Sequence, residues 1–123
     1  MEELIKESQA LLENYKAEYD RLGDLFKAET DVQKMDELDK RIPEIGKDIV
    51  NLEVKILNLQ QQAKRTKFNP EGLRQFASAI AAHAVETQTA IKTYTESTKN
   101  AQYLASRISS GVSLIADIAK RIA

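Results

Sequence analysis

Apolar side chains recur along this chain at alternating steps of three and four residues, the repeat that gathers them on one face of an α-helix. In the first segment Ile5, Leu12, Tyr19 and Phe26 stand seven apart, and Ser8, Tyr15 and Leu22 follow the first three by three places. Leu4, Leu11 and Leu25 widen this seam into a broader apolar face. The pattern predicts a helix over about residues 2–28 that packs against more than one neighbour. A second register runs Met35, Leu38, Ile42, Ile45, Ile49, Leu52, Ile56, Leu59, Ala63 without a phase error. It predicts a helix over about 31–66, opened by a capping box of Thr30 and Gln33. Pro43 falls inside it with Gly46 just beyond, and because the register crosses both, a kink is expected there rather than an end.

The stretch Phe68-Asn69-Pro70-Glu71-Gly72-Leu73 carries the sharpest local signal. Asn69 is a favoured N-cap, Pro70 suits the first helical position, and Phe68 with Leu73 is placed to form a hydrophobic staple. From here the sevenfold series Leu73, Ile80, Thr87, Tyr94, Ala101, Ile108, Ile115, Ile122 keeps one phase to the end of the sequence. Phe76, His83, Ala90, Ser97, Leu104 and Ile118 accompany it three places on. The expectation is one helix over about 70–123, or two collinear ones meeting at Ser109-Ser110-Gly111. The segments 31–66 and 70–108 would each span about 55–60 Å at 1.5 Å per residue. Joined by a short turn, they should form an antiparallel hairpin. The fold class expected is therefore all-α, an elongated antiparallel hairpin or three-helix coiled-coil-like bundle with very long helices. A length of 123 residues fits a single helical domain.

Charge divides the chain unevenly. Residues 1–68 hold 15 acids and 12 bases, whereas residues 69–123 hold only Glu71, Glu86, Glu96 and Asp117 against Arg74, Lys92, Lys99, Arg107, Lys120 and Arg121. Ala, Ser, Thr, Gln and Asn replace charge in the second half, the composition of helices covered on more than one side. The balance of 18 bases and 19 acids lacks the basic excess of a general nucleic-acid binder. No cysteine is present, so a thiolate nucleophile, a disulfide framework and a cysteine metal site are all excluded. Met1-Glu2-Glu3-Leu4 has neither the basic region nor the apolar core of a signal peptide, and no run approaches the about 18–20 apolar residues of a membrane span. A cytoplasmic location is expected, with leaderless export as the alternative.

Candidate chemistry centres on His83, the single histidine. Glu86 lies one turn later, but His-x-x-Glu reverses the order found in carboxylate-bridged metal bundles, and no second such pair exists. No Gly-x-Ser-x-Gly turn accompanies the histidine, and no glycine-rich phosphate loop occurs. His83 is better explained as a partly buried polar seam residue. Asp36-Glu37-x-Asp39 lies on a helix rather than in a calcium loop and fits a solvated face with Lys34 and Lys40 nearby. Lys64, Arg65 and Lys67 fall where cations complement a helix C-terminus. Tyr15 and Tyr19, at seam spacing, are core candidates rather than base-stacking platforms.

These observations point to a non-enzymatic interaction, adaptor or assembly protein without a cofactor or metal, binding a protein partner or itself as a homo-oligomer. No specific nucleic acid is expected. The expected interface is the weakly charged face of Leu73, Phe76, Ile80, His83, Thr87, Ala90, Tyr94, Ser97, Ala101, Leu104 and Ile108. Polar seam residues there would specify register or line a wet interface. The Thr-rich middle of this segment should be less stable than the Ile-rich second helix. At the C-terminal end Val112, Ile115, Ile118 and Ile122 form a stripe suited to docking on a bundle. Two alternatives are a membrane-active or leaderless exported protein using that stripe, and a small helical inhibitor of another macromolecule. Without Trp or Phe in the stripe, and with few cations beside it, lipid contact is the less favoured reading. Truncation after Ser109 is expected to lower the thermal unfolding midpoint, measured by circular dichroism. An unchanged midpoint would show that the stripe is not packed.

Overall fold

The computed structural model describes residues 2–123, and within them every regular element is an α-helix. Helix α1 spans Glu2–Ala28, α2 Val32–Arg65, α3 Pro70–Ile91 and α4 Ser97–Ile122. The longest, α2, extends about 51 Å at 1.5 Å per residue. It runs unbroken past Pro43, which lies on its exposed side while Ile45 and Ile49 turn inward.

The helices make a four-helix bundle in which α1 and α3 run one way and α2 and α4 the other. Matched depths fix the directions: Asn14 bonds Gln88, Gln9 meets Gln60, and Glu37 meets Gln102. Side by side in parallel, α2 and α4 form the most extensive contact, built on Leu38, Ile45, Leu52, Ile56 and Leu59 from one and Leu104, Ile108, Ile115 and Ile118 from the other. Helix α1 packs on α2, α3 and α4 through Leu4, Leu11, Tyr15 and Leu22. Helix α3 packs on α1 and α4 only.

Two expectations are corrected by this arrangement. The hairpin of 31–66 with 70–108 does not form, because α2 and α3 occupy opposite corners and share no contact; the connection between them crosses the end of the bundle. The segment 70–123 is also two helices rather than one, and they turn back on each other instead of continuing in line. The break falls at Lys92–Glu96, not at Ser109-Ser110-Gly111, where α4 is continuous. Thr93, Tyr94 and Thr95 are three successive residues that lose rotamer freedom in a helix. Tightened bonds from the Thr93 and Tyr94 amides to the Ala90 and Ile91 carbonyls close α3, and the buried Asn100 amide donates to the Ile91 and Tyr94 carbonyls. The five-residue turn keeps the sevenfold phase, so the series reads through a chain reversal as though nothing happened.

Helix starts show how short-range chemistry sets the boundaries. Asp31, not Thr30, caps α2: its carboxylate accepts from the Gln33 and Lys34 amides at 2.9 and 3.1 Å. Glu29 accepts from the Thr30 and Asp31 amides and from the Ser97 hydroxyl, tying the α1–α2 turn to the start of α4. The Ser97 bond first, then the amides, holds the Glu29 carboxyl below the usual carboxylate range. Asn69 caps α3 by accepting from the Gly72 amide at 2.6 Å, and Phe68 lies against Phe76 with ring centroids 5.5 Å apart. Asn69→Ala should therefore cost about 1 kcal/mol in urea unfolding. An unchanged midpoint would mean that Pro70 alone sets the start.

Candidate functional site

Midway along the bundle the apolar interior is interrupted by one polar layer. Tyr15 from α1, His83 and Thr87 from α3 and Arg107 from α4 meet there, and each is brought in by its seam position or the place beside it. Tyr15 is 1% exposed, yet its hydroxyl must be satisfied. It lies 2.6 Å from His83 Nε2 and 2.9 Å from the Arg107 carbonyl oxygen. Arg107 reaches back across α3, with Nε donating to Thr87 Oγ1 at 2.8 Å and Nη2 to His83 Nδ1 at 2.9 Å and to the His83 carbonyl at 3.0 Å. Thr87 in turn donates to the His83 carbonyl at 3.0 Å. Glu86 Oε2 sits 3.6 Å from Arg107 Nη2 at the solvent edge.

The donor inventory leaves one assignment. A guanidinium only donates, so His83 Nδ1 must present its lone pair, and the neutral ring then carries its proton on Nε2. That N–H donates to Tyr15 Oη, and the Tyr15 hydroxyl donates to the Arg107 carbonyl. Burial first, and the Arg107 charge second, push the His83 pKa below the ordinary imidazole value. Burial pushes the Tyr15 hydroxyl up. Room for the layer comes from Gly111, buried in α4: a Cβ there would stand 3.3 Å from both His83 Nε2 and the Tyr15 ring. Both imidazole nitrogens are thus committed to protein groups. Among the described residues no three His, Asp or Glu side chains converge as metal ligands.

Most of the face expected to meet a partner is interior to this chain. Leu73, Ile80, Thr87, Ser97, Ala101, Leu104 and Ile108 are buried, Phe76, His83 and Ala90 are half-buried, and Tyr94 lies in the α3–α4 turn stacked on Tyr103 at 4.7 Å. As an intermolecular surface of the closed bundle this set is corrected: the weak charge of residues 73–108 reflects two helices facing the same core. Val112 packs at its margin, while Ile115, Ile118 and Ile122 are buried within the bundle.

Sequence reasoning read Tyr15 as core and gave Arg107 no role beyond its place among the few charges of the second half. The recoverable signal was that Tyr15, His83 and Thr87 are polar-capable members of two largely apolar seams. What the pattern lacked was the third helix that supplies the guanidinium.

Apolar side chains remain on the outside. Val50, Val54 and Leu57, on the side of α2 that faces away from the core, are 59%, 57% and 53% exposed. At the bundle end an open cleft of about 460 Å³ is lined by Arg65, Thr66, Lys67, Phe68, Arg121 and Ile122, where the Thr66 hydroxyl donates to the Ile122 carbonyl at 2.7 Å. No helix among the described residues is long and apolar enough to cross a membrane.

Tyr15→Phe should keep the ring's packing while stranding the His83 Nε2–H in the interior. A loss of about 1–3 kcal/mol in denaturant unfolding is expected. No loss would mean that the hydroxyl contributes nothing beyond the ring. Compared with known protein families, curated proteins and solved structures, the chain matches none.

Proposed function

We propose that the protein is a non-enzymatic interaction or assembly module that binds a second copy of itself through the outer face of α2. One observation carries the reading: Val50, Val54 and Leu57 form an i, i+4, i+7 ladder on the side of α2 turned away from its own core. Apolar side chains at that spacing form the seam by which helices pair, and they do nothing for the fold that bears them. Asn51, Asn58 and Gln61 flank the ladder together with one base, Lys47, and one acid, Glu53, so charges of both signs border the strip. A seam this short buries little area, which fits a weak, concentration-dependent association. Support against a catalytic reading comes from the layer around His83, whose ring nitrogens are both occupied by protein groups. The lipid-interface reading has less support, since Ile115, Ile118 and Ile122 are consumed in the bundle interior.

Sedimentation velocity over a concentration series tests the proposal. The chain should self-associate, and Val54→Glu or Leu57→Glu should weaken association at least about tenfold, equivalent to about 1.4 kcal/mol. Helicity and thermal midpoint should hold, because these side chains leave the core untouched. A chain that stays monomeric at every concentration, or variants that associate like the parent, would remove the reading.

A further inference from the structure

We propose that the chain of bonds through Tyr15, His83 and Arg107 is a proton-operated latch on α3, closed while the imidazole is neutral and released when it takes up a proton. The helix it holds is the one least secured by packing. Helix α3 has no contact with α2, and between Leu73 and Ile91 its buried face is Ala77, Ile80, Ala84 and Thr87, with Ile80 the one large side chain. Its termini adjoin the turns 66–69 and 92–96, where a change of direction can be absorbed. Across its middle, the bonds to α1 and α4 pass through His83, Thr87 and Arg107, apart from the exposed Gln88 to Asn14 pair.

The latch follows from donor geometry. Nδ1 of His83 accepts from the Arg107 guanidinium at 2.9 Å. An imidazolium carries a proton on both nitrogens, so uptake sets an N–H against an N–H and a cation against a cation. Arg107 must then leave Nδ1, and its bonds to Thr87 and the His83 carbonyl are carried with the same guanidinium. Groups facing the ring cannot offset this. From α1 there is the Tyr15 hydroxyl, already bonded to Nε2; from α4 there is Arg107; from α3 itself there is Glu86, whose carboxylate is largely in water and is engaged with Arg107. Helix α2 presents nothing to α3.

The sign follows from the depressed proton affinity of the closed state. With α3 released, the imidazole meets water and regains its ordinary value of about 6.5. The latch therefore contributes fully above about pH 6.5, and its contribution is lost as the pH falls below that, with a slope of at most about tenfold in the open population per pH unit for one proton. Carboxylates titrate at about 4–4.5 and an α-amino group at about 8 in ordinary surroundings, so between pH 6.5 and 5.5 the histidine is the group whose ordinary titration range is crossed. Release presents the apolar seam of α3, including Leu73, Ile80 and Ala84, which the closed bundle hides.

Amide hydrogen exchange of the full chain at pH 7.5, 6.5 and 5.5, corrected for intrinsic rates, reads the latch directly. Protection of the α3 amides should fall by up to about tenfold per pH unit while the amides of α2 hold. His83→Gln supplies an oxygen to accept from Arg107 and an N–H for Tyr15 without taking up a proton, so it should abolish the pH response. The imidazole of the parent, followed by nuclear magnetic resonance, supplies a check independent of any variant. It should be the Nε2–H tautomer at pH 7.5 and should titrate below the ordinary value of about 6.5, where the loss of α3 protection levels off. Unchanged protection, an equal loss in α2, a His83→Gln protein with the parent's pH response, or the Nδ1–H tautomer would each overturn the latch.

Discussion

The parallel seam between α2 and α4 is the contact on which the rest of the bundle depends. It draws on the buried Leu and Ile of both helices, side chains whose complete burial contributes about 1.5–3 kcal/mol each. Parallel neighbours cannot be joined by a short turn, so the chain must cross from the end of α2 to α3, run back along the bundle, and turn again before α4 can be laid beside α2. The placement of α3 at the corner opposite α2 is a consequence of that route. So is the diagonal crossing at residues 66–69, which the Asn69 cap and the Thr66 to Ile122 bond stabilise from both sides. Ion pairs add little by comparison, because Lys16–Glu53 and Lys34–Glu96 are half-exposed and screened by water and the Glu86 carboxylate facing Arg107 is largely in water.

The polar layer stands in contrast to this seam. Placing a tyrosine hydroxyl, an imidazole and a guanidinium in an otherwise apolar section costs desolvation, which only a closed set of hydrogen bonds offsets. Every member is supplied by a different helix or by the face of α3 that meets two helices, so the bonds form only when α1, α3 and α4 stand at one relative depth. A one-turn slip of α3 would shift His83 about 5.4 Å along the axis and leave the buried Tyr15 hydroxyl and the half-buried His83 and Arg107 without these partners. Register among α1, α3 and α4 is thereby specified by hydrogen bonds as well as by the packing of their buried Leu and Ile side chains. The same requirement makes the layer sensitive to a single proton, since one changed donor undoes the whole set.

Local chemistry was legible in the linear chain wherever a short segment decides its own structure. The ends of α1 and α2 and the start of α3 at Asn69-Pro70 follow from periodicity and capping over a few residues. The cap of α2 moved by one residue, from Thr30 to Asp31, because both side chains can serve and only the path of the turn selects between them. That apolar faces exist, and that they call for all-helical packing, was equally determined by sequence.

Which face meets which was decided by tertiary structure alone. The series from Leu73 to Ile122 keeps one phase across a reversal because a five-residue turn happens to preserve it, and periodicity carries no information on direction. Weak charge over residues 73–108 says that these helices are covered, but a partner's core and the chain's own core make the same demand on side chains. Arg107 joined the interior because α4 lies antiparallel to α3 at a depth that brings its guanidinium to Nδ1 of His83, a distance set by two helices and a turn together. Composition and spacing thus determined the elements and their apolar stripes, since those depend on neighbours in sequence. The corners they occupy and the bonds across them depend on atoms many residues apart, and only packing brings those within reach.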